Sequence, residues 1–280
     1  MKTLIWIPGD QLLDSHPALE HCAGDAIRVV LVENWSRARR LPYHRHKITL
    51  IFSAMRHYAD RLRTRGLDVD YRTGESLADG LRSAARDFAP DRIVTMAASE
   101  YRGRRFQQTR LADVTGVPVE VLPNTQFLVG QFDPFADVPR GKATVMEYFY
   151  RAMRRRFDIL MDGDQPVGGQ WNYDHDNRQP LPRTGIDIPP LIGFPPDALT
   201  REVMRAVDAH GHGLGTTAGF AYAATHEQAR AALAAFVTER LPHFGTYEDA
   251  MTASSRTVFH SVLSPYVNLG LLTPLEMVDA

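Results

Sequence analysis

The 280-residue chain carries a single cysteine, Cys22. One thiol excludes an internal disulfide and any multi-cysteine metal centre. Long apolar runs are also missing. The run at residues 3–8 is far too short for a signal-peptide core or a membrane span, and reads as a buried strand. With one cysteine and no signal peptide, the expected compartment is the cytoplasm, with no membrane partner. Neither sign of charge prevails, since 32 Lys and Arg face 33 Asp and Glu. Net charge therefore gives no indication of nucleic acid. Local basic clusters at Arg37, Arg39 and Arg40, at Arg102, Arg104 and Arg105, and along 151–156 could meet phosphates, or equally form solvated helix faces. No Gly-Lys-[Ser/Thr] phosphate loop is present, and the segment after the fourth strand candidate lacks Gly-x-Gly-x-x-Gly, which argues against an NTPase or an ordinary dehydrogenase. His44-x-His46 and His210-x-His212 have the wrong spacing for a helical ligand pair and no clustered carboxylates, so no metal site is expected.

What is present is a globular composition, 44% hydrophobic and 23% charged, long enough for one large domain or two ordinary ones. Strand candidates at 4–7, 27–32, 69–71, 92–96 and 119–122 are rich in Val and Ile. Helical stretches at 47–65 and 76–88 separate several of them, with Leu77, Leu81, Ala84, Ala85 and Phe88 on one face of the latter. Gly66 stands where a helix stop belongs. Strands spaced by helices predict an α/β fold with a doubly wound, Rossmann-like parallel sheet over residues 1–130. Residues 131–196 are punctuated by proline and glycine and read as an interdomain connector, interrupted by one helix at 145–161. Residues 197–280 are helical in character. Thr225 is a candidate N-cap for a helix at 225–239, and Ser264-Pro265 opens another that stops near Gly270.

Ligands of doubly wound sheets sit outside the carboxyl ends of the strands. There the first strand leads into Gly9-Asp10-Gln11 and the second ends in Glu33-Asn34-Trp35. Asp10, Gln11 and Glu33 could hydrogen-bond a polar ring; alternatively Asp10 caps the next helix and Glu33 is a rim residue. Ser99-Glu100-Tyr101-Arg102 follows the fourth strand and reads better as a lock on the next helix. Hydroxyls and backbone N–H groups in His260-Ser261-Val262-Leu263-Ser264-Pro265 suit a phosphate, or simply a capped core helix.

Two stretches carry a resemblance. Residues 146–182, MEYFYRAMRRRFDILMDGDQPVGGQWNYDHDNRQPLP, join an aromatic and arginine-rich helix to Gly-Gly-x-Trp-Asn-Tyr-Asp and Asp-Asn-Arg. They resemble the signature region of the iron–sulfur bacterial cryptochromes and photolyases, the prokaryotic (6–4) photolyase group. Residues 260–272, HSVLSPYVNLGLL, resemble the flavin-phosphate segment of the wider superfamily, with His260 in place of its usual first Thr. The resemblance implies FAD held at its diphosphate by His260, Ser261, Val262, Leu263 and Ser264, with Tyr247 as an aromatic flavin contact. It implies a lumazine antenna against Asp10, Gln11 and Glu33, and damaged DNA as the partner of a full-length member; no protein partner is indicated. Trp171, Tyr173, Asn177 and Arg178 are read as packing and turn residues.

The family's iron–sulfur ligands and most of its flavin pocket lie further along the chain than residue 280, and Cys22 matches no cluster ligand. The expectation is a partial member, with an incomplete helical FAD-binding domain over 197–280, no catalytic residue among the 280, and no repair activity as it stands. A light-sensing cryptochrome of the same family and a non-catalytic chromophore- or nucleotide-binding module are the alternatives.

Overall fold

The structure, a computed structural model, describes residues 1–139 and 141–280. Five strands form one parallel sheet: β1 (Lys2–Trp6), β2 (Ala26–Asn34), β3 (Asp68–Gly74), β4 (Arg92–Met96) and β5 (Val119–Leu122). Between and after them run α1 (Pro17–His21), α2 (Trp35–Ala38), α3 (Arg45–Thr64), α4 (Leu77–Phe88), α5 (Tyr101–Thr109) and α6 (Leu111–Thr115). Then follow α7 (Met146–Phe157), α8 (Ala198–His210), α9 (His226–Ala235), a π-helical turn at Phe236–Arg240, α10 (Leu241–Phe244), α11 (Ser264–Leu269) and α12 (Pro274–Asp279). Among the described residues no helix is long and apolar enough to cross a membrane.

The chain forms two compact units that interleave along the sequence. The first comprises Met1–Gln126, Gly193–Arg230 and Pro265–Thr273; the second comprises Phe127–Ile192, Ala231–Ser264 and Pro274–Ala280.

In the first unit the strand order is β3-β2-β1-β4-β5, so the chain winds outward from β1 to one edge and returns to build the other. This is the doubly wound α/β sheet that the alternation of strands and helices predicts. Leu4, Trp6, Val30, Val32 and Ile93 pack with Leu81, Ala84 and Ala85 of α4 and Leu111 of α6. Ile5, Ile7, Val29, Leu31 and Val94, alternating with them along the strands, are also fully buried. A parallel sheet covered on both faces has this near-continuous hydrophobic character. Helix α3 lies on β2 and β3 and buries Phe52, Met55, Ala59 and Leu62. Ser76 caps α4 by accepting from Asp79 N–H at 3.2 Å, and Gly66 takes the left-handed φ of +83° after α3.

Residues 193–230 and 265–273 belong to this same unit. Helix α8 packs on α3, helped by Arg56–Glu202 at 2.8 Å, Arg45–Asp208 at 3.2 Å and His57–Asp197 at 3.3 Å. Thr225 caps α9 through Gln228 N–H at 3.2 Å. The Leu12 N–H donates to the Leu269 carbonyl at 2.8 Å.

In the second unit α7 stops at Phe157, four residues before its expected end at 161. Arg154 turns back to donate to the carbonyls of Ile159 (2.9 Å) and Leu160. That grip holds Asp158 and Leu160 at positive φ and supplies the hydrogen bonds a further helical turn would have made. Residues Met161–Asp162 then pair with Gln165–Pro166 in a small antiparallel ladder. The helix expected through residue 239 keeps α-geometry only to Ala235, after which one turn widens into the π-helix at Phe236–Arg240.

Candidate functional site

Two groups of residues have the surroundings of a ligand site, one in each unit. The first lies at the carboxyl ends of β1, β2 and β4, where the strand order reverses between β1 and β4. This is the crevice position in a doubly wound sheet. Asp10 follows β1, Arg37 follows β2 and Glu100 follows β4. Arg37 and Glu100 form an ion pair at 3.3 Å. Asp10 is exposed at this rim, yet loss of hydration among the surrounding protein raises its carboxyl pKa, opposed by Asp10's own N–H and by Arg37 and reinforced by Glu100. It does not cap a helix: the N-cap of α1 is His16, whose Nδ1 accepts from Ala18 N–H at 3.3 Å.

Gln11 turns inward and is 1% exposed. Its Nε2 donates to the Ala97 carbonyl at 3.0 Å, an acceptor it shares with Asn124 Nδ2 at 2.8 Å. Its Oε1 is buried and, among the described residues, has no hydrogen-bond partner. A buried acceptor without a partner is costly, so this atom suits a donor that the protein does not itself supply.

Glu33 sits elsewhere in chemical terms. Its side chain is fully buried, with Arg56 Nε at 3.0 Å from Oε2, Arg56 Nη2 at 3.1 Å from Oε1 and the Tyr71 hydroxyl at 2.8 Å from Oε2. Burial and the adjacent Glu33 carboxylate push the Tyr71 hydroxyl pKa up, keeping it protonated as a donor. Both carboxylate oxygens are thus engaged by the protein, and Glu33 acts on the rim through the helix that carries Arg56. The structure gathers Asp10 and Gln11 into one turn, and turns Glu33 towards α3.

The second group lies in the second unit. Tyr247 is half-buried and its ring lies 5.6 Å from Phe259 at an interplanar angle of 30°. His260 is exposed and its Nε2 lies 3.0 Å from the Glu248 carbonyl. Ser261 and Val262 are half-buried, Leu263 is fully buried and Ser264 is exposed. Val262 takes φ +55°, a left-handed residue in an irregular stretch that leads into α11. Ser261 Oγ accepts from Leu263 N–H at 3.4 Å. The segment thus presents an imidazole and two serine hydroxyls above a buried Leu263 anchor, a donor set that fits a phosphate oxygen. The Tyr247 ring is held by Phe259.

The signature stretch of α7 and its following turn reaches this second group directly. The Asn177 side-chain amide donates to Glu248 at 2.8 Å, and Gln179 N–H donates to the Thr246 carbonyl at 3.2 Å. Two motifs distinguished separately in the sequence therefore meet beside Tyr247. The turn role expected for Asn177 is played by its side chain on a carboxylate as well as by its backbone, which accepts from Asp249 N–H at 3.5 Å. Trp171 has a feature that spacing did not announce. Its indole faces the guanidiniums of Arg155, Arg151 and Arg154 at 4.7, 5.1 and 5.4 Å, a cation–π arrangement. The only hint in sequence was a lone tryptophan following an arginine-rich helix. Among the described residues no group of His, Cys, Asp or Glu could hold a metal ion.

The two groups are thus a polar rim at the switch point of a doubly wound sheet and, in the other unit, a segment with two serines. Comparison with known proteins makes the class specific. The model of the deoxyribodipyrimidine photo-lyase-related protein family matches residues 5–222, and the chain belongs to that family. It is 37% identical over 289 aligned residues to a (6-4) photolyase of Agrobacterium fabrum, covering all of this chain and 56% of that protein. It is 29% identical over 154 residues to the Uncharacterized protein R852 of Acanthamoeba polyphaga mimivirus, across 51% of this chain and 76% of that one. Among solved structures, a bacterial class III photolyase from Agrobacterium tumefaciens shares the fold with a TM-score of 0.59 at 15% identity, over 99% of this chain and 52% of that chain. The chain spans about half the length of the photolyases it matches.

Proposed function

We propose that these 280 residues are the antenna-binding and first flavin-binding portion of a light-driven, FAD-dependent (6–4) photolyase working on damaged DNA in the cytoplasm. The observation that carries this reading is the 37% identity to a (6-4) photolyase along the whole chain. In support, Glu248, next to Tyr247, links the two family-like stretches: its carboxylate takes the Asn177 amide and its carbonyl lies 3.0 Å from His260 Nε2. When bound, reduced flavin supplies an electron on illumination to a cross-linked pyrimidine pair turned out of the duplex. The residues here contribute binding and orientation. His260, Ser261 and Ser264 would hold the flavin diphosphate, with Val262 lending its left-handed backbone, Leu263 anchoring the segment in the core and Tyr247 lying against the cofactor. Asp10 and Gln11 would receive a lumazine, the unpartnered Gln11 Oε1 taking a ring N–H, while Glu33 keeps the crevice wall in place through Arg56. None of the 280 residues is assigned to the electron-transfer chemistry, and the single Cys22 cannot supply a four-cysteine cluster.

The test is to titrate the purified protein with FAD and, separately, with 6,7-dimethyl-8-ribityllumazine, following quenching of each ligand's fluorescence. Saturable binding of both is expected, with Ser261→Ala/Ser264→Ala weakening FAD alone and Asp10→Ala weakening the lumazine alone. Absence of binding for both ligands in a folded protein would overturn the proposal. Repair of a (6–4) lesion in an oligonucleotide by the protein at its natural length, under blue light, then tests the activity itself.

A further inference from the structure

Arg240 ends the π-helical turn, and it is 3% exposed. Burying a guanidinium is costly unless acceptors surround it, and burial pushes its pKa down. Its acceptors are backbone carbonyls: Val258 at 2.7 Å, His260 at 3.3 Å, and Pro189. A single buried cation therefore grips two alternate peptides of the segment that leads into His260-Ser261-Val262-Leu263-Ser264.

That segment is held against its own preferences. Val258 has φ +43° and Val262 has φ +55°. A β-branched residue at positive φ is a strained outlier, maintained only where the surroundings over-determine it. Two such valines bracket His260 and Ser261. Between them Phe259 is 1% exposed, with its ring 5.1 Å from His243 and 5.6 Å from Tyr247.

The geometry of the peptide bond gives this grip a consequence. In a planar trans peptide the C=O and N–H point in opposite directions. Drawing the His260 carbonyl towards Arg240 therefore turns the Ser261 N–H away from it, outward. Among the described residues neither the Ser261 nor the Val262 N–H has a hydrogen-bond partner. Successive N–H groups beside a left-handed residue form a concave anion site.

We infer that Arg240 is the positioning residue of the phosphate cradle: its hold on the His260 carbonyl aims the Ser261 N–H at a diphosphate that Arg240 itself does not touch. This rests on the flavin reading of the same segment.

The test compares FAD with riboflavin, which shares the isoalloxazine ring but has no phosphate, by fluorescence quenching of each with wild type, Arg240→Lys and Arg240→Gln. Lysine keeps the charge but loses the planar fork. Glutamine keeps N–H donors but loses the charge and the rest of the fork. The expected result is a loss of FAD affinity of about tenfold in each variant, equivalent to about 1.4 kcal/mol, with riboflavin affinity unchanged. A merely structural role would weaken both ligands together or neither. Parallel losses for FAD and riboflavin, or unchanged FAD affinity, would overturn the inference while leaving flavin binding intact. Failure of the wild-type protein to bind FAD would instead overturn the flavin reading, and this inference with it. Should Arg240→Lys fail to fold, Arg240→Gln carries the same comparison alone.

Discussion

The side-chain amide of Asn177 donates to the carboxylate of Glu248 at 2.8 Å, joining residues 71 positions apart. With Gln179 N–H on the Thr246 carbonyl, it laces the end of the signature stretch to the loop that carries Tyr247. An isolated turn of this kind has little apolar surface to bury, so its position depends on such polar ties.

Asn177→Ala should therefore cost about 1–2 kcal/mol of stability, the worth of a hydrogen bond to an ionised acceptor. Urea denaturation measures the loss, and hydrogen exchange at residues 246–249 should accelerate well beyond it. Unchanged exchange there would mean that the loop is held by Tyr247 and Phe259 alone.

Glu33 gives the largest single-residue effect. Among the described residues Arg56 donates to both carboxylate oxygens of Glu33, which is fully buried, and Tyr71 donates to one of them. Arg56→Met should destabilise the protein by about 3–5 kcal/mol, because a buried carboxylate loses its counter-charge. Adding Glu33→Gln to that variant should restore part of the loss, since the remaining amide carries no charge. If the double variant is no more stable than Arg56→Met, the cost lies in packing rather than in charge.

How much of this was legible beforehand follows the range of the forces involved. Local periodicity located all five strands, with β4 and β5 at the same ends as in the structure, because alternating burial leaves its mark within a few residues. Thr225, read as an N-cap, acts through a hydrogen bond only three residues long, and the start of α11 near Ser264-Pro265 was equally local. The fate of Glu33 was not legible, since Arg56 lies 23 residues away and Tyr71 lies 38 away. Nor did any local pattern show that residues 193–230 share a unit with the sheet. That association rests on pairs such as Arg56–Glu202, 146 residues apart. The early end of α7 was hidden for another reason. Arg154 reads as one more basic residue in a solvated face until its side chain is seen folded back onto Ile159 and Leu160.

Gly270, by contrast, combines a local and a distant constraint. It has φ +81°, and a Cβ there would lie 3.0 Å from Leu12 N and 3.2 Å from Leu13 Cδ2. Gly270→Ala should cost about 1–3 kcal/mol, from the left-handed backbone and from crowding against the turn after β1. Thermal unfolding measures it. A substitution of no effect would mean that Leu12 and Leu13 move aside freely, which the 2.8 Å bond from Leu12 N to Leu269 opposes.

The acid limb of stability should be set in part by His16. The ring is fully buried, and burial pushes its pKa down from 6.5 to about 4. Between those values the unfolded chain binds a proton that the native protein refuses. The contribution is complete above pH about 6.5 and is lost progressively as the pH falls towards about 4, where the loss approaches about 3 kcal/mol. Nδ1 accepts from Ala18 N–H, so the neutral ring caps α1. His16→Asn keeps a capping side chain without a titrating group. Its stability, measured by urea denaturation at intervals from pH 4 to 7, should have a shallower slope across this window than that of the wild type, by close to one proton. The slope is the informative quantity, because a smaller side chain lowers the whole curve by leaving space in the core. Parallel curves would show that His16 is not the group that limits stability in acid.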